Sequence, residues 1–338
     1  MSERNRRFVL RERPSGRIGP GTFELVEEPI PEIGDGEVLV RTQWISLDPA
    51  NRGVIRDRES YVPPVGIGEV MRGGGLGRVV ASRHPRYREG ELVRGLLGWQ
   101  EWAVGSDATM LMAVPEIAGV SPSAHLGVLG ITGLTAWVGV TDIGRPQEGE
   151  TVVVSAAAGA VGSVAGQIAR LRGARVVGIA GGPQKCDLLV ERLGFAAAVD
   201  RRAADWRERL VVATPDGVDV DFENVGGDIM DAVFARLNLR ARVVLCGLIS
   251  TYNEPELPPG PRNLVTLLIQ RVRLQGFIVF DHLDRFGEAL AELSGWLAAG
   301  RLEALETVID GFEQLPTAIN MLFDGANVGK LIVHVADD

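Results

Sequence analysis

Residues 151–172, TVVVSAAAGAVGSVAGQIARLR, constrain the fold of this chain more than any other stretch. They open on Thr151-Val152-Val153-Val154, a β-branched apolar run that reads as a short buried parallel strand. A small-residue turn comes next, and then Val164, Ile168 and Leu171 recur at helical spacing. The turn carries a dinucleotide fingerprint whose first glycine is alanine, Ala157-x-Gly159-x-x-Gly162. Gly159 lets the backbone approach a pyrophosphate, and Gly162 lets helix and strand pack closely. Ala160, Val161 and Ser163 open the helix whose N–H groups and dipole would receive the phosphates. A membrane span of similar length would not carry the internal Gly, Ser and Gln or the charged flanks.

A glycine turn alone is a weak signal, and the strands and helices after residue 172 give it context. Arg175–Ala180, Ala197–Asp200 and Val218–Glu223 read as strands two to four, and residues 242–247 and 274–280 as strands five and six. Helices are expected over residues 184–193, through Trp206 and Leu210, and along the stripe Leu283, Phe286, Leu290, Leu293 and Leu297, with Gly300 past its end. This programme is that of a doubly wound parallel sheet. It is preceded by an apolar helix over residues 123–141 and closed by a strand over residues 330–335.

Residues 1–125 are different. More than half of the chain's 18 prolines precede residue 125. Residues 37–42 alternate as a half-buried strand, and residues 75–80 and Leu92–Gly95 are further short strands between turn residues. Such a segment suits a compact barrel-like domain, and the first boundary is placed near residue 125.

The end of the second strand decides the nucleotide. An NAD site places Asp or Glu there to bind the ribose hydroxyls, yet residues 163–186 contain no acidic side chain. Gly181 and Gly182 leave room for a 2′-phosphate, Lys185 supplies a charge, and Arg201 and Arg202 come after the third strand. The pattern favours NADP.

The remaining composition excludes more than it assigns. A net charge of −9 argues against nucleic-acid or anionic-membrane partners. The polar start carries no secretory signal pattern, and two cysteines, Cys186 and Cys246, make no disulfide framework. A cytoplasmic protein is expected. The four histidines, His84, His125, His282 and His334, are scattered, so no zinc ligand set is legible. Cys246 reads as a core residue of its strand, and no G-x-S-x-G elbow is present.

Several motifs together resemble one family. They are Ser46-Leu47-Asp48-Pro49, Tyr61-Val62-Pro63-Pro64, Gly68-Glu69-Val70-Met71-Arg72-Gly73-Gly74, Thr132-Gly133-Leu134-Thr135-Ala136, the AAAGAVGS turn, Gly181-Gly182-Pro183-x-Lys185-Cys186, Phe222-x-Asn224-Val225-Gly226-Gly227 and Gly276-Phe277-Ile278-Val279-Phe280. Nearly end to end, the chain resembles the zinc-independent medium-chain dehydrogenase/reductases, in the branch of prostaglandin reductases, leukotriene dehydrogenases and plant double-bond reductases. The resemblance implies an α/β fold, with a GroES-like β-barrel domain and a Rossmann doubly wound parallel-sheet domain. It divides the chain into residues 1–125 (GroES-like), 126–300 (Rossmann, NADP-binding) and 301–338 (returning to the first domain). It also implies reduction by NADPH of the carbon–carbon double bond of α,β-unsaturated carbonyls, without a metal.

By the same resemblance Lys185 would hold the 2′-phosphate and Asn224 would sit under the cofactor. Cys246, Gly247, Ile249, Ser250 and Tyr252 would line the nicotinamide side. Phe277, Ile278 and Val279 would meet the carboxamide through backbone, and Asn327 would reach in from the C-terminal segment. Two positions depart from the family pattern. Ala50 replaces a substrate-pocket tyrosine, and Arg201 replaces a tyrosine at the 2′-phosphate, where a guanidinium pairs well with phosphate. Tyr252 is the expected hydrogen-bond donor to the substrate oxygen, with Arg52 expected in a structural ion pair. Quinone reduction and non-catalytic NADPH binding remain as alternatives. A homodimer is expected through the apolar strand around residues 277–280.

Overall fold

The computed structural model describes residues 4–336 except Glu59, Ala118 and Leu257. Its contacts divide the chain into two compact units, Met1–Leu126 with Thr307–Asp338, and Gly127–Glu306.

The first unit is built on β1 (Arg4–Leu10), β2 (Phe23–Pro29), β3 (Val38–Leu47), β4 (Gly75–Ser82), β5 (Leu92–Gly95), β6 (Trp102–Gly105) and β7 (Met112–Ala113), with the short helix α1 (Ala50–Val54) after β3. β1 and β2 pair antiparallel. The larger sheet runs Glu306–Asp310, Lys330–His334, β3, β4, β5, β7, with β6 also on β3. The C-terminal strand therefore completes the N-terminal sheet, pairing Leu331 with Leu47 and His334 with Trp44. The alternation in β3 is a core signal, since Val38, Val40, Ile45 and Leu47 are buried. Phe8, Phe23, Trp99 and Phe312 meet in one apolar cluster that spans both ends of the sequence. β3 and β4 slip register between Thr42 and Trp44, where a Cβ on Gly77 would stand 2.1 Å from the Arg41 carbonyl oxygen.

The second unit contains α2 (Ile131–Val138), β8 (Thr151–Ser155), α3 (Ala160–Leu171), β9 (Arg175–Ala180), α4 (Pro183–Asp187), β10 (Ala197–Asp200), α5 (Trp206–Ala213), β11 (Val218–Glu223), α6 (Gly227–Phe234), β12 (Leu237–Leu245), α7 (Leu264–Ile269), β13 (Arg273–Gly276) and α8 (Phe286–Ala298). The strand order is β10-β9-β8-β11-β12-β13, and every neighbouring pair is parallel. This is the 3-2-1-4-5-6 order of a Rossmann sheet, with its topological switch point between β8 and β11. All five residues of β8 are buried, as a central strand covered on both faces requires.

Four expectations about elements are corrected. The single helix over residues 123–141 is three pieces: a 3₁₀ turn at Pro122–Leu126, α2, and a π-helical turn at Gly139–Gly144. A Cβ on Gly133 would lie 1.8 Å from the Val128 carbonyl oxygen, so the chain folds back at that point. The sixth strand stops at Gly276, and Phe277–Phe280 turn away into the 3₁₀ segment Val279–Arg285. Cys246 lies just beyond the end of β12 rather than within it. Leu283 also falls outside α8, whose end is marked by Gly300 at φ +62°.

One side chain in this sheet conflicts with its surroundings. Asp221 is fully buried in β11 between Val153 of β8 and Val243 of β12, both members of the apolar cluster beneath α5 and α6. Neither of its carboxylate oxygens has a hydrogen-bond partner among the described residues.

Candidate cofactor and substrate site

Parallel strands deliver their C-terminal ends to one edge of the sheet, and most of the candidate residues gather there. Ser155 ends β8, Gly181 and Gly182 lie just past β9, Asp200 ends β10, Asn224 lies just past β11, and Cys246 just past β12. At the switch point Ser155 links two strands. Its hydroxyl donates to Glu223 Oε1 at 2.8 Å and accepts the Asn224 backbone N–H at 2.7 Å. The Asn224 side-chain amide donates to the Ser155 carbonyl, also at 2.7 Å. Glu223 is buried beneath this turn, and its Oε1 accepts the N–H groups of Val225 and Gly226. Sequence reasoning missed Glu223 as an organiser of the site. Its place directly before Asn224-Val225-Gly226-Gly227, at the end of a buried strand, was the available signal.

The glycine turn is shaped for close approach. Ala156 sits at φ +48°, and Gly159 caps α3 in extended conformation. A Cβ on Gly162 would come 2.4 Å from the Ala156 carbonyl oxygen, and one on Gly159 would come 3.1 Å from it. Gly162 is therefore required for helix and strand to meet, and the first-turn amides of Ala160 and Val161 are left at a helix N-terminus. Ser163 is buried on α3 and donates its own backbone N–H to Gly159.

A cationic cluster stands at the ends of β9 and β10. The guanidinium nitrogens of Arg202 and Arg201 would lie 3.2 and 3.5 Å from a Cβ on Gly181. Burial, and then the charges of Arg202 and Arg201, lower the pKa of Lys185. Asp200 braces the loop, accepting the backbone N–H groups of Gly182 at 2.7 Å and Arg202 at 2.9 Å. Three cations beside a glycine pair are an arrangement whose chemistry suits a doubly charged phosphate. Arg202 and Asp200 thus join Lys185 and Arg201 at this end of the sheet.

On the far side of the switch point, Cys246 and Gly247 donate their N–H groups to the Glu223 carbonyl, while Ile249 and Ser250 donate theirs to Asn224 and Val225. Tyr252 folds back over this loop, its hydroxyl 3.5 Å from the Leu248 nitrogen and from the Cβ position of Gly247. Burial pushes its phenol pKa up, against the opposing effect of the Leu248 N–H, so at neutral pH the group remains a donor. Burial, reinforced by Glu223, pushes the Cys246 thiol up to about 12, which favours its protonated form. Phe277, Ile278 and Val279 are partly buried beyond β13, with the Phe277 ring edge-on to His282.

Ala50 and Asn327 belong to the first unit. Ala50 opens α1 and is exposed. The helix is anchored by Asn51, which accepts the Asp48 N–H at 2.7 Å and donates to the Arg72 carbonyl at 2.8 Å. Lys330 is buried and binds Asp48 at 2.5 Å and the Leu47 carbonyl at 2.9 Å. Asn327 is buried and donates to the Gly329 carbonyl at 2.9 Å. Arg52 donates to the carbonyl oxygens of Pro14 and Gly16, and burial lowers its pKa to about 10.

Among the described residues no group of three or more His, Cys, Asp or Glu side chains is arranged to hold a metal ion. Cys186 and Cys246 are both free thiols. No helix among the described residues is long and apolar enough to cross a membrane.

A barrel-type sheet closed by the C-terminus, a 3-2-1-4-5-6 parallel sheet and a glycine turn at the same sheet edge as a cation cluster define a nucleotide-dependent oxidoreductase. Residues 6–114 match the family model described as the N-terminal domain of oxidoreductase, and residues 160–295 match that of zinc-binding dehydrogenase. The chain belongs to the medium-chain dehydrogenase/reductase family, in its zinc-independent alkenal and prostaglandin reductase branch. It is 46% identical to the NADPH-dependent curcumin reductase of Escherichia coli (strain K12), covering 100% of this chain and 99% of that protein. It is 36% identical to the NADP(+)-dependent 2-alkenal reductase of Nicotiana tabacum, with 98% of each chain covered. The crystal structure of CurA from Vibrio vulnificus in complex with NADPH superimposes with a TM-score of 0.93 at 44% identity, over 98% of this chain and 100% of that one.

Proposed function

We propose that the protein is an NADPH-dependent reductase of the carbon–carbon double bond of α,β-unsaturated aldehydes and ketones. The observation that carries the reading is the cation cluster of Lys185, Arg201 and Arg202 beside Gly181, at the end of a strand that carries no acidic ribose ligand. The names of its relatives, a curcumin reductase and a 2-alkenal reductase, supply the substrate class.

The residues fit the cofactor. Gly159, Ala160, Val161, Gly162 and Ser163 form the pyrophosphate cradle, with Gly162 bringing helix and strand together so that the first-turn amides of α3 face the phosphates. Lys185, Arg201 and Arg202 hold the 2′-phosphate, with Gly181 leaving the space and Asp200 fixing the loop. Asn224, locked by Ser155, forms the floor at the switch point. Cys246, Gly247, Ile249, Ser250 and Tyr252 line the nicotinamide side, and Phe277 to Val279 offer backbone to the carboxamide. When bound, NADPH supplies the hydride, delivered to the substrate's β-carbon.

The protein's own chemical task is to stabilise the negative charge that then develops on the substrate oxygen. Tyr252 is the donor assigned to that oxygen, because its phenol turns back over the loop at Gly247, its hydroxyl 3.5 Å from that residue's Cβ position. Tyr252→Phe is expected to lower kcat by about a hundred- to a thousandfold, the scale of one lost oxyanion donor, with the Kd for NADPH little changed. Unchanged turnover of every good substrate would remove Tyr252 from the mechanism. Ala50, which stands where the family carries a substrate-pocket tyrosine, is small and exposed on α1. The reaction itself is tested by NMR of the products formed from NADPH and 2-hexenal. Saturated hexanal supports the reading, and enal recovered unchanged with NADPH bound overturns it. Quinone reduction is the second reading, and a product assay with a simple benzoquinone separates the two.

The same reading includes a homodimer. Among the described residues β13 is an unpaired sheet edge, and α7, which precedes it, exposes Leu264, Val265, Leu268 and Ile269. A second copy pairing along β13 would cover both. Leu268→Glu is expected to shift the sedimenting species from dimer to monomer, and a monomeric parent protein would end this part of the reading.

A further inference from the structure

A second charged site lies at the opposite end of the parallel sheet. Arg145, Gln147, Arg240, Arg242, Arg271 and Arg273 line an open cleft of about 380 Å³. The cofactor residues sit at the C-terminal strand ends. By contrast, Arg242 and Arg273 face one another where β12 and β13 begin to pair, and Arg240 precedes that pairing, bonded through its backbone to Gln270. The volume is that of a small-molecule site, on a protein whose net charge is −9.

Two of the arginines have structural work. Arg242 pairs with Glu150 at 2.5 Å and donates to the carbonyls of Gly144 and Arg145, and Arg273 donates to that of Ile143. These bonds satisfy the end of the π-helical turn. The other three do little for the fold. The guanidinium of Arg145 reaches only the nearby Asp142 carbonyl, and that of Arg271 only the Ile269 carbonyl. The Arg240 side chain has no hydrogen-bond or ion-pair partner among the described residues.

Arg145, Arg240 and Arg271 stand at φ +47°, +62° and +50°. Arg145 caps the π-helical turn and Arg271 closes the end of α7 with its N–H on the Leu268 carbonyl, so both take the left-handed conformation common at helix ends.

We infer that this cleft binds a small, multiply charged oxyanion of the polyphosphate class, at a site separate from the cofactor. Planar guanidiniums supply paired N–H donors that match phosphate oxygens. A short polyphosphate matches the span of the open cleft, whereas an extended nucleic acid would also meet the acidic remainder of the surface.

The test is calorimetric titration of the full-length protein with sodium tripolyphosphate, with and without saturating NADPH. One equivalent per chain is expected to bind in both conditions, and equally in Lys185→Ala. The double variant Arg240→Gly/Arg271→Gly is expected to bind at least tenfold more weakly. Its melting temperature should be unchanged or higher, because glycine relieves both left-handed positions, and its alkene turnover should be unchanged. Three results would each overturn the inference: no binding to the parent protein, binding abolished by NADPH or by Lys185→Ala, or equal binding by the arginine variant. Loss of the dimer in that variant without any tripolyphosphate binding would assign the cluster to contact between copies instead.

Discussion

Replacing Lys185, Arg201 and Arg202 together by alanine is expected to raise the Kd for NADPH by about a hundred- to a thousandfold and to change that for NADH less than threefold. The size of the effect comes from the chemistry at the end of β9. A hydrogen bond involving a charged group contributes about 1.5–3 kcal/mol, and at least two of the three cations can address one phosphate. NADH lacks that phosphate, so the same change costs it nothing and relieves the repulsion that lowers the Lys185 pKa. Fluorescence titration with both nucleotides measures the ratio directly. Equal weakening of NADPH and NADH would mean that the cluster shapes the loop rather than reading the phosphate. Asp200 provides the control for that possibility, since it holds Gly182 and Arg202 through backbone N–H groups and carries no positive charge.

Asp221→Val is expected to stabilise the protein at pH 7 by about 1–3 kcal/mol, the usual cost of a buried unsatisfied polar group. Burial, and then the charge of Glu223, push the Asp221 pKa well above its ordinary value. Burial also raises Glu223, but its carboxylate accepts the N–H groups of Gly226 and Val225 and the Ser155 hydroxyl. Asp221 is therefore the acid that retains its proton. An acid whose folded pKa lies above its unfolded value of about 3.9 is bound more tightly to its proton in the native state. This group's contribution to stability consequently falls as pH rises from about 4 towards the raised value. Valine has no such slope and suits both the strand and its apolar neighbours Val153 and Val243. Urea unfolding of both proteins between pH 5 and pH 8 checks this. The stability gap should widen with pH; a destabilised variant, or parallel pH profiles, would contradict the assignment.

The second unit is more legible in the sequence than the first because its signals are local. Thr151-Val152-Val153-Val154 followed by Gly159 and Gly162 specifies strand, turn and helix within one short stretch, and the fold places Gly162 where a side chain would strike Ala156. Sheet order then emerges from repeated strand–helix alternation and its right-handed crossovers. The features that escaped depend on distant partners. The apolar helix breaks before α2, where the chain folds back so that Val128 approaches Gly133, and again at Gly139, against Phe222 of β11; hydrophobicity alone does not record these contacts. Residues 274–280 look like one strand by composition, yet ladder pairing with β12 ends at Gly276. Glu223 and Asp200 escaped for a related reason. Each acts by accepting backbone N–H groups in a turn, and an isolated carboxylate in a sequence does not reveal which amides will face it. The arginine cleft was invisible because Arg145, Arg240 and Arg271 are far apart in the chain and are joined only by the strand ends.

The central claim is that hydride reaches the alkene carbon rather than the carbonyl. The most direct measurement is deuterium NMR of the product formed from 2-hexenal and NADPH carrying deuterium at the transferred position. Hexanal labelled at C3, the β-carbon, is the predicted product. Label at C1 of 2-hexenol would contradict the claim, because reduction would then have occurred at the carbonyl.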